Sequence, residues 1–231
     1  MSTASLVFDI ETIGTEFNEL DEISQEYLVK FAESDEEKEL IKEQTGFYPL
    51  TGEIVAIGVL NPETHKGAIF IQTKKGVTLP KETSQGLEIK EGSEKDILTM
   101  FWDIAKQYNE FISFNGRGFD VPYMMVRSAI HEMKPSKNLM SNRYTSYQPD
   151  TAVHIDLLDQ LTFYGSVRRK FPLHMWTKAF GIESPKEAGV DGNDVWNLFK
   201  EGKSADIAEY NARDIISTAK LYQYWDTYMR F

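Results

Sequence analysis

Leu6-Val7-Phe8-Asp9-Ile10-Glu11-Thr12 is the first apolar run of the chain, and two acids interrupt it. Five of its seven residues are apolar or β-branched, the composition of a strand buried on both faces. Successive strand side chains point to opposite faces, so Asp9 and Glu11 share one face with Val7. Two like charges side by side on a buried strand repel each other and are costly to desolvate unless a cation sits between them. The chain around this strand must supply a reason for that pair.

The 231 residues suffice for one large domain or two small ones. A hydrophobic fraction of 41% with 13% aromatics predicts a folded globular chain rather than a disordered one. No apolar run approaches the roughly 20 residues of a membrane span, and the acid-bearing first strand stands where a basic-then-apolar leader would be. Zero cysteines exclude disulfides and thiolate metal sites, and make a reducing cytoplasm the expected compartment. A net charge of −11 argues at first against a nucleic-acid partner. The charge is local, however. Thirteen of the 36 acids but three of the 25 basic residues fall within residues 1–45, which leaves the remainder nearly neutral and able to present a basic face.

Residues 16–45 read as an acidic helical insertion, with Phe17, Leu20, Tyr27, Leu28 and Phe31 near helical spacing and a second short helix around 36–41. The plain expectation is a solvated lid packed by one apolar stripe; the sharper one is a gate over Asp9 and Glu11. Strands follow at 53–60 and 67–72 as a hairpin, then a polar loop and an edge segment at 87–89. Ser93 and Asp96 have the spacing of a helix-opening capping box. A strand at 111–114 ends in Asn115-Gly116-Arg117-Gly118-Phe119-Asp120, and a helix begins near Pro122. Residues 134–150 read as loop, 153–155 as a short strand, Asp156 as a helix cap, and 171–180 as a helix closed by Gly181. A loop at 184–193 precedes a last long helix from about 204 to 228. No repeat or linker divides the chain. One domain over 1–231, of the α/β class with a mixed central sheet and flanking helices, is expected.

Open α/β sheets gather ligands at the C-terminal ends of their strands. Asp9 and Glu11 end one strand and Asp120 lies just beyond another. Tyr210 and Asp214, spaced i, i+4, share one face of the last helix and could complete the cluster. A rival pair is His154 with Asp159, a His-x4-Asp spacing that could supply a general base. The local sequence puts those two on a strand and the following helix, which suits a strand-to-helix junction with a satisfied histidine better.

Phe8-Asp9-Ile10-Glu11-Thr12, Phe114-Asn115-Gly116-Arg117-Gly118-Phe119-Asp120 and Tyr210-Asn211-Ala212-Arg213-Asp214 resemble the three motifs of the DEDD superfamily, the DnaQ-like 3′–5′ exonucleases with a ribonuclease H-like fold. The Asn-Gly-x-x-Phe-Asp form of the second motif, and a tyrosine in the third, are similar to the proofreading domain of family-B DNA polymerases. The chain also resembles small stand-alone bacterial proteins described as predicted PolB-like 3′–5′ exonucleases, through Phe47-Tyr48-Pro49-Leu50 and Gly189-Val190-Asp191-Gly192 as well. The likeness runs from about Leu6 to Tyr228 and is poorest at 16–45.

That resemblance implies a two-metal-ion phosphodiester hydrolase using Mg²⁺ or Mn²⁺, hard cations suited to oxygen ligands. It implies that Asp9 bridges both ions, that Glu11 and Asp214 hold the nucleophile-side ion, and that Asp120 reaches the other. Tyr210 would orient or help deprotonate the attacking water, and orientation is the more economical role, since a phenol with a pKa of about 10 is a poor base at neutral pH. The implied partner is nucleic acid with a free 3′ end, single-stranded DNA first. Asn115 and Phe119 are candidates for contacts to the terminal nucleotide, although Phe119 suits core packing equally well. Arg168, Arg169 and Lys170, after Phe163 and Tyr164, are candidates for phosphate contacts or else a solvated run. Lys186 is a further basic candidate, and Trp176 and Trp196 are expected in the core. A catalytically idle binding module on the same fold and an exoribonuclease of short RNA stay open as alternatives.

Overall fold

The computed structural model describes residues 4–183 and 194–231. Gly189–Gly192 and Lys186 lie outside the described residues. Six strands, Ser5–Gly14 (β1), Gly52–Leu60 (β2), Gly67–Ile71 (β3), Glu88–Glu91 (β4), Glu110–Ser113 (β5) and Val153–Asp156 (β6), form one sheet in the order β4-β3-β2-β1-β5-β6. The β1–β2 and β2–β3 pairs are antiparallel, whereas β3–β4, β1–β5 and β5–β6 are parallel, so the sheet is mixed. The acid-bearing strand therefore has neighbours on both edges.

Alternation along β1 divides the core in two. Leu6, Phe8 and Ile10 pack on the face covered by Glu94–Ala105 (α3) and Asp120–Ile130 (α4), with Leu98, Phe101, Val121 and Met124. Val7 packs on the opposite face with Ile207, Ile215 and Leu221 of the 25-residue helix Ser204–Tyr228 (α8). Burying each such side chain contributes about 1.5–3 kcal/mol, which locks the strand's register. Asp9 and Glu11, odd-numbered like Val7, are thereby directed at α8.

Two local departures from regular pairing shape the neighbourhood of these acids. Glu11 pairs with Ala56 but Thr12 with Ile54, so Val55 is the extra residue of a β-bulge. On the other edge, the pairing of β1 with β5 ends at Val7 and Ile112, which leaves the Ile10 N–H without a partner strand. The side chain that takes it is described below.

The helix after Ser93 opens with the expected capping box, and the last helix spans the expected residues. Between β1 and β2 lie Glu22–Val29 (α1) and Asp35–Glu43 (α2), neither of which buries a residue. Here the expected apolar stripe is only half right. Phe17, Leu20 and Leu28 are half-buried, but Tyr27 and Phe31 are 68% and 75% exposed, because α1 has no packing layer on that side. Leu157–Leu161 (α5) and Leu173–Ala179 (α6) follow β6, and Val195–Lys200 (α7) precedes α8. Helix α7 was not anticipated: six residues are too few to show a 3.6-residue period. Trp176 and Trp196 pack partly buried against the α8-side core.

Glu94, at the start of α3, ties that helix to β2 and to α4. Its Oε1 accepts the Ile54 N–H and the Arg127 Nε–H, both at 2.8 Å, while Oε2 accepts from Arg127 Nη2 and meets His131 Nε2, both at 2.6 Å. Against the desolvation that burial imposes, these donors hold the Glu94 carboxyl below its ordinary value. Its contribution to stability is therefore present above the ordinary glutamate pKa and fades as pH falls through its depressed one. Glu94→Ala is expected to cost about 3–5 kcal/mol by leaving Arg127 uncompensated. Urea unfolding measures this, and a loss below about 1 kcal/mol would contradict the role assigned to this buried fork.

Candidate active site

The strand, the sheet edge and the long helix bring acids from three parts of the sequence into one place. Carboxylate oxygens of Asp9, Glu11 and Asp214 all lie within 4.8 Å of one another. Among the described residues this is the only such cluster of potential metal ligands. Asp120 stands beside it rather than within it. As the first residue of α4 it is buried, and its Oδ1 accepts the spare Ile10 N–H at 3.2 Å.

The electrostatics match that crowding. Burial first, then the charges of Asp120, Glu11 and Asp214, push the Asp9 carboxyl well above the usual range. Glu11 is raised in the same way by burial and then by Asp214. Asp120 is pushed up to about 7, chiefly by burial, with Asp156 and Asp214 adding repulsion. No lysine or arginine forms an ion pair with Asp9, Glu11 or Asp120 among the described residues. Such a set of hard oxygen donors fits Mg²⁺ or Mn²⁺.

Tyr210 is buried on α8 one turn before Asp214, on the same helical face. Burial and then the charges of Asp214, Glu11 and Asp9 push this phenol above its ordinary value. The hydroxyl therefore keeps its proton throughout the physiological range. With that proton in place it can donate a hydrogen bond and orient a neighbour.

The loop carrying the second motif is organised by a residue whose role sequence reasoning took for a helix cap alone. Asp156, at the end of β6, does cap α5 through the Leu158 N–H at 3.0 Å. It also accepts the backbone N–H of Asn115 at 2.8 Å and of Arg117 at 3.0 Å. These bonds hold Asn115 in a left-handed conformation (φ +62°) and fix the turn that delivers Asp120. Nothing in the sequence marks a loop anchor about 40 residues away.

The other sequence candidates are placed as follows. Phe119 is half-buried, 5.4 Å from Tyr123 and 6.4 Å from Phe47 between ring centroids, so the core-packing expectation holds for much of its surface. Arg168, Arg169 and Lys170 are exposed after α5, and Arg169 lies over the Phe171 ring. The rival pair is committed elsewhere. His154 Nδ1 donates to the Leu139 carbonyl at 3.0 Å and Nε2 accepts from the Ser113 hydroxyl at 2.8 Å, and burial lowers its pKa to about 3. Asp159 receives the Arg143 fork at 2.6 and 3.0 Å. Asn211 was quoted within the third motif but not singled out; its amide donates to both Asp9 and Glu11.

The family B DNA polymerase from the hyperthermophilic archaeon Pyrobaculum calidifontis superposes with a TM-score of 0.58 over 97% of this chain and 25% of that one, at 15% identity. The fold is accordingly ribonuclease H-like, as the motifs implied. Residues 54–229 match the family of predicted 3′–5′ exonucleases related to the exonuclease domain of PolB, and the chain belongs to that family. A DNA polymerase of Methanocaldococcus jannaschii is 28% identical over 148 residues, which are 58% of this chain and 8% of the polymerase. The chain thus spans a small part of the length of either polymerase.

The raised carboxyls carry a pH signature. A carboxyl raised by folding favours the native state below its ordinary pKa, and this contribution is lost as pH climbs through the raised value. In EDTA, the melting temperature of the wild type should therefore fall more steeply than that of Asp120→Asn between about pH 4 and about pH 8. Parallel profiles for the two proteins would show that the cluster does not carry this strain.

Proposed function

We propose that the chain is a single divalent-metal-dependent 3′–5′ exonuclease domain that removes nucleotides from the free 3′ end of single-stranded nucleic acid, DNA foremost. The observation that carries this reading is the convergence of Asp9, Glu11 and Asp214 within 4.8 Å, beside Asp120, in a member of a predicted exonuclease family. Asp9, Glu11, Asp120 and Asp214 would hold two Mg²⁺ or Mn²⁺ ions. Bound there, the ions would supply a water-derived nucleophile and stabilise the departing 3′-oxygen.

The chain's own residues account for the rest. Tyr210, held neutral by burial beside Asp214, serves as a donor that orients the attacking water. Asn115 and Phe119, on the Asp156-anchored turn that leads to Asp120, would contact the terminal sugar and base through an amide and a ring. Arg168, Arg169 and Lys170, exposed after α5, would track phosphates further along the strand. Single strands suit the buried cluster because a duplex end must first open to bring one 3′ terminus to it.

A 5′-labelled oligonucleotide ladder with Mn²⁺ or Mg²⁺, on single- and double-stranded DNA and RNA, tests the reading. Stepwise shortening from the 3′ end is expected, abolished by excess EDTA; equal shortening in EDTA rules the mechanism out. Asp9→Asn and Asp214→Asn should remove activity in a folded protein, and near-wild-type turnover in either refutes the site. Tyr210→Phe should lower kcat on the order of 100-fold. Should His154→Ala be the more damaging change while Tyr210→Phe is silent, the His154–Asp159 reading prevails.

A further inference from the structure

Asn211 is fully buried on α8, and its single amide nitrogen reaches two of the clustered acids. Nδ2 donates to Asp9 Oδ2 at 2.9 Å and to Glu11 Oε1 at 3.3 Å. Its carbonyl Oδ1 is buried without any hydrogen-bond partner. The carboxylates fix which way the amide faces, because the reverse orientation would set a carbonyl oxygen against two anions. Opposite Oδ1 lies Gly58 of β2, the residue that pairs with Asp9 across the sheet. A Cβ at position 58 would stand 2.1 Å from Oδ1, so only a glycine there lets the amide approach.

Packing and helix propensity do not explain this residue. Asparagine is a poor interior helix former, and a leucine of similar size would fill the space above Gly58 with no orphaned carbonyl. What the amide alone offers is a pair of N–H donors aimed at adjacent acids. We infer that Asn211, admitted by Gly58, is a positioning residue that sets the rotamers of Asp9 and Glu11 so that their remaining oxygens face a divalent cation. The inference rests on the metal-binding reading proposed above. It gives β2 a part in the site although that strand contributes no acid. Outer partners that hydrogen-bond ligating carboxylates are worth about 10- to 100-fold in metal affinity.

The test measures metal binding directly, without nucleic acid or turnover. Mn²⁺ is titrated into the full-length wild type, Asn211→Leu and Gly58→Ala, and free Mn²⁺ is followed by electron paramagnetic resonance. The rise in melting temperature on adding Mn²⁺ is recorded in parallel. Asn211→Leu removes the donors and keeps the volume; Gly58→Ala keeps the donors and displaces them. Both are expected to weaken Mn²⁺ binding by about 10- to 100-fold and to shrink the Mn²⁺-induced rise in melting temperature. A merely structural role would lower the metal-free melting temperature and leave the Mn²⁺-induced increment intact, and that result overturns the inference. So does Mn²⁺ affinity within about twofold of wild type in whichever variant folds. Absence of binding by the wild type would instead sink the metal reading itself, a failure that the same titration separates from the first.

Discussion

Desolvation of the acids on β1 is the constraint on which the structure turns. Asp9 and Glu11 are placed on the α8 side by the same alternation that buries Leu6, Phe8 and Ile10 on the other. The strand cannot relieve their repulsion by rotating, because a one-residue slip would bury the acids in the α3–α4 core and turn its apolar set out of that core toward α8. It cannot retreat to an edge either, with β2 and β5 on its two sides. Among the described residues the molecule answers by bringing further acids to the pair rather than cations, a set of hard oxygen donors that suits a divalent ion.

Holding such a cluster together requires that the surrounding frame be firmer than the repulsion. Three further buried carboxylates supply that firmness, each accepting from several donors. Glu94 joins β2, α3 and α4. Asp156 joins β6, α5 and the loop before Asp120. Glu110 at the start of β5 accepts from Ser5, Tyr222 and Arg230, fastening the C-terminal end of α8 to the sheet. The contrast is physical: Glu94 and Glu110 have their protonation held down by donors, whereas Asp9, Glu11 and Asp120 are raised by burial with too few. Fixed at its far end by Glu110 and near its start by the fit of Asn211 over Gly58, α8 has little freedom to carry Asp214 away from the strand.

The acidic segment between β1 and β2 follows a different logic. Helices α1 and α2 bury no residue and are maintained by local means: Asp21 and Ser34 cap them, and Lys38 and Lys42 pair with Asp35 and Glu39 one turn away. Exposed pairs of this kind are worth under about 1 kcal/mol each. Most of the chain's net negative charge thus sits on a part that buries little, so the net charge of −11 describes that segment better than it describes the surface around the site.

Legibility followed the length scale of the physics. Strand β1, the hairpin, the α3 capping box and α8 are written in local periodicity and cap residues, and each could be read directly. The acids and Tyr210 were legible because like charges on a buried strand are locally anomalous, and because three motifs in order supplied their partners. Asn211, Gly58 and Asp156 were not, for one reason. An asparagine in a helix, a glycine in a strand and an aspartate at a helix start each have an ordinary local explanation, and their roles exist only across the sheet. Gly58 shows this best: as a strand residue it is merely unfavourable, by roughly 0.5–1 kcal/mol against alanine, and that cost becomes intelligible only when the Asn211 carbonyl is found where its Cβ would be. A residue that looks like a small local defect is the one that lets a helix amide reach the acids of the neighbouring strand.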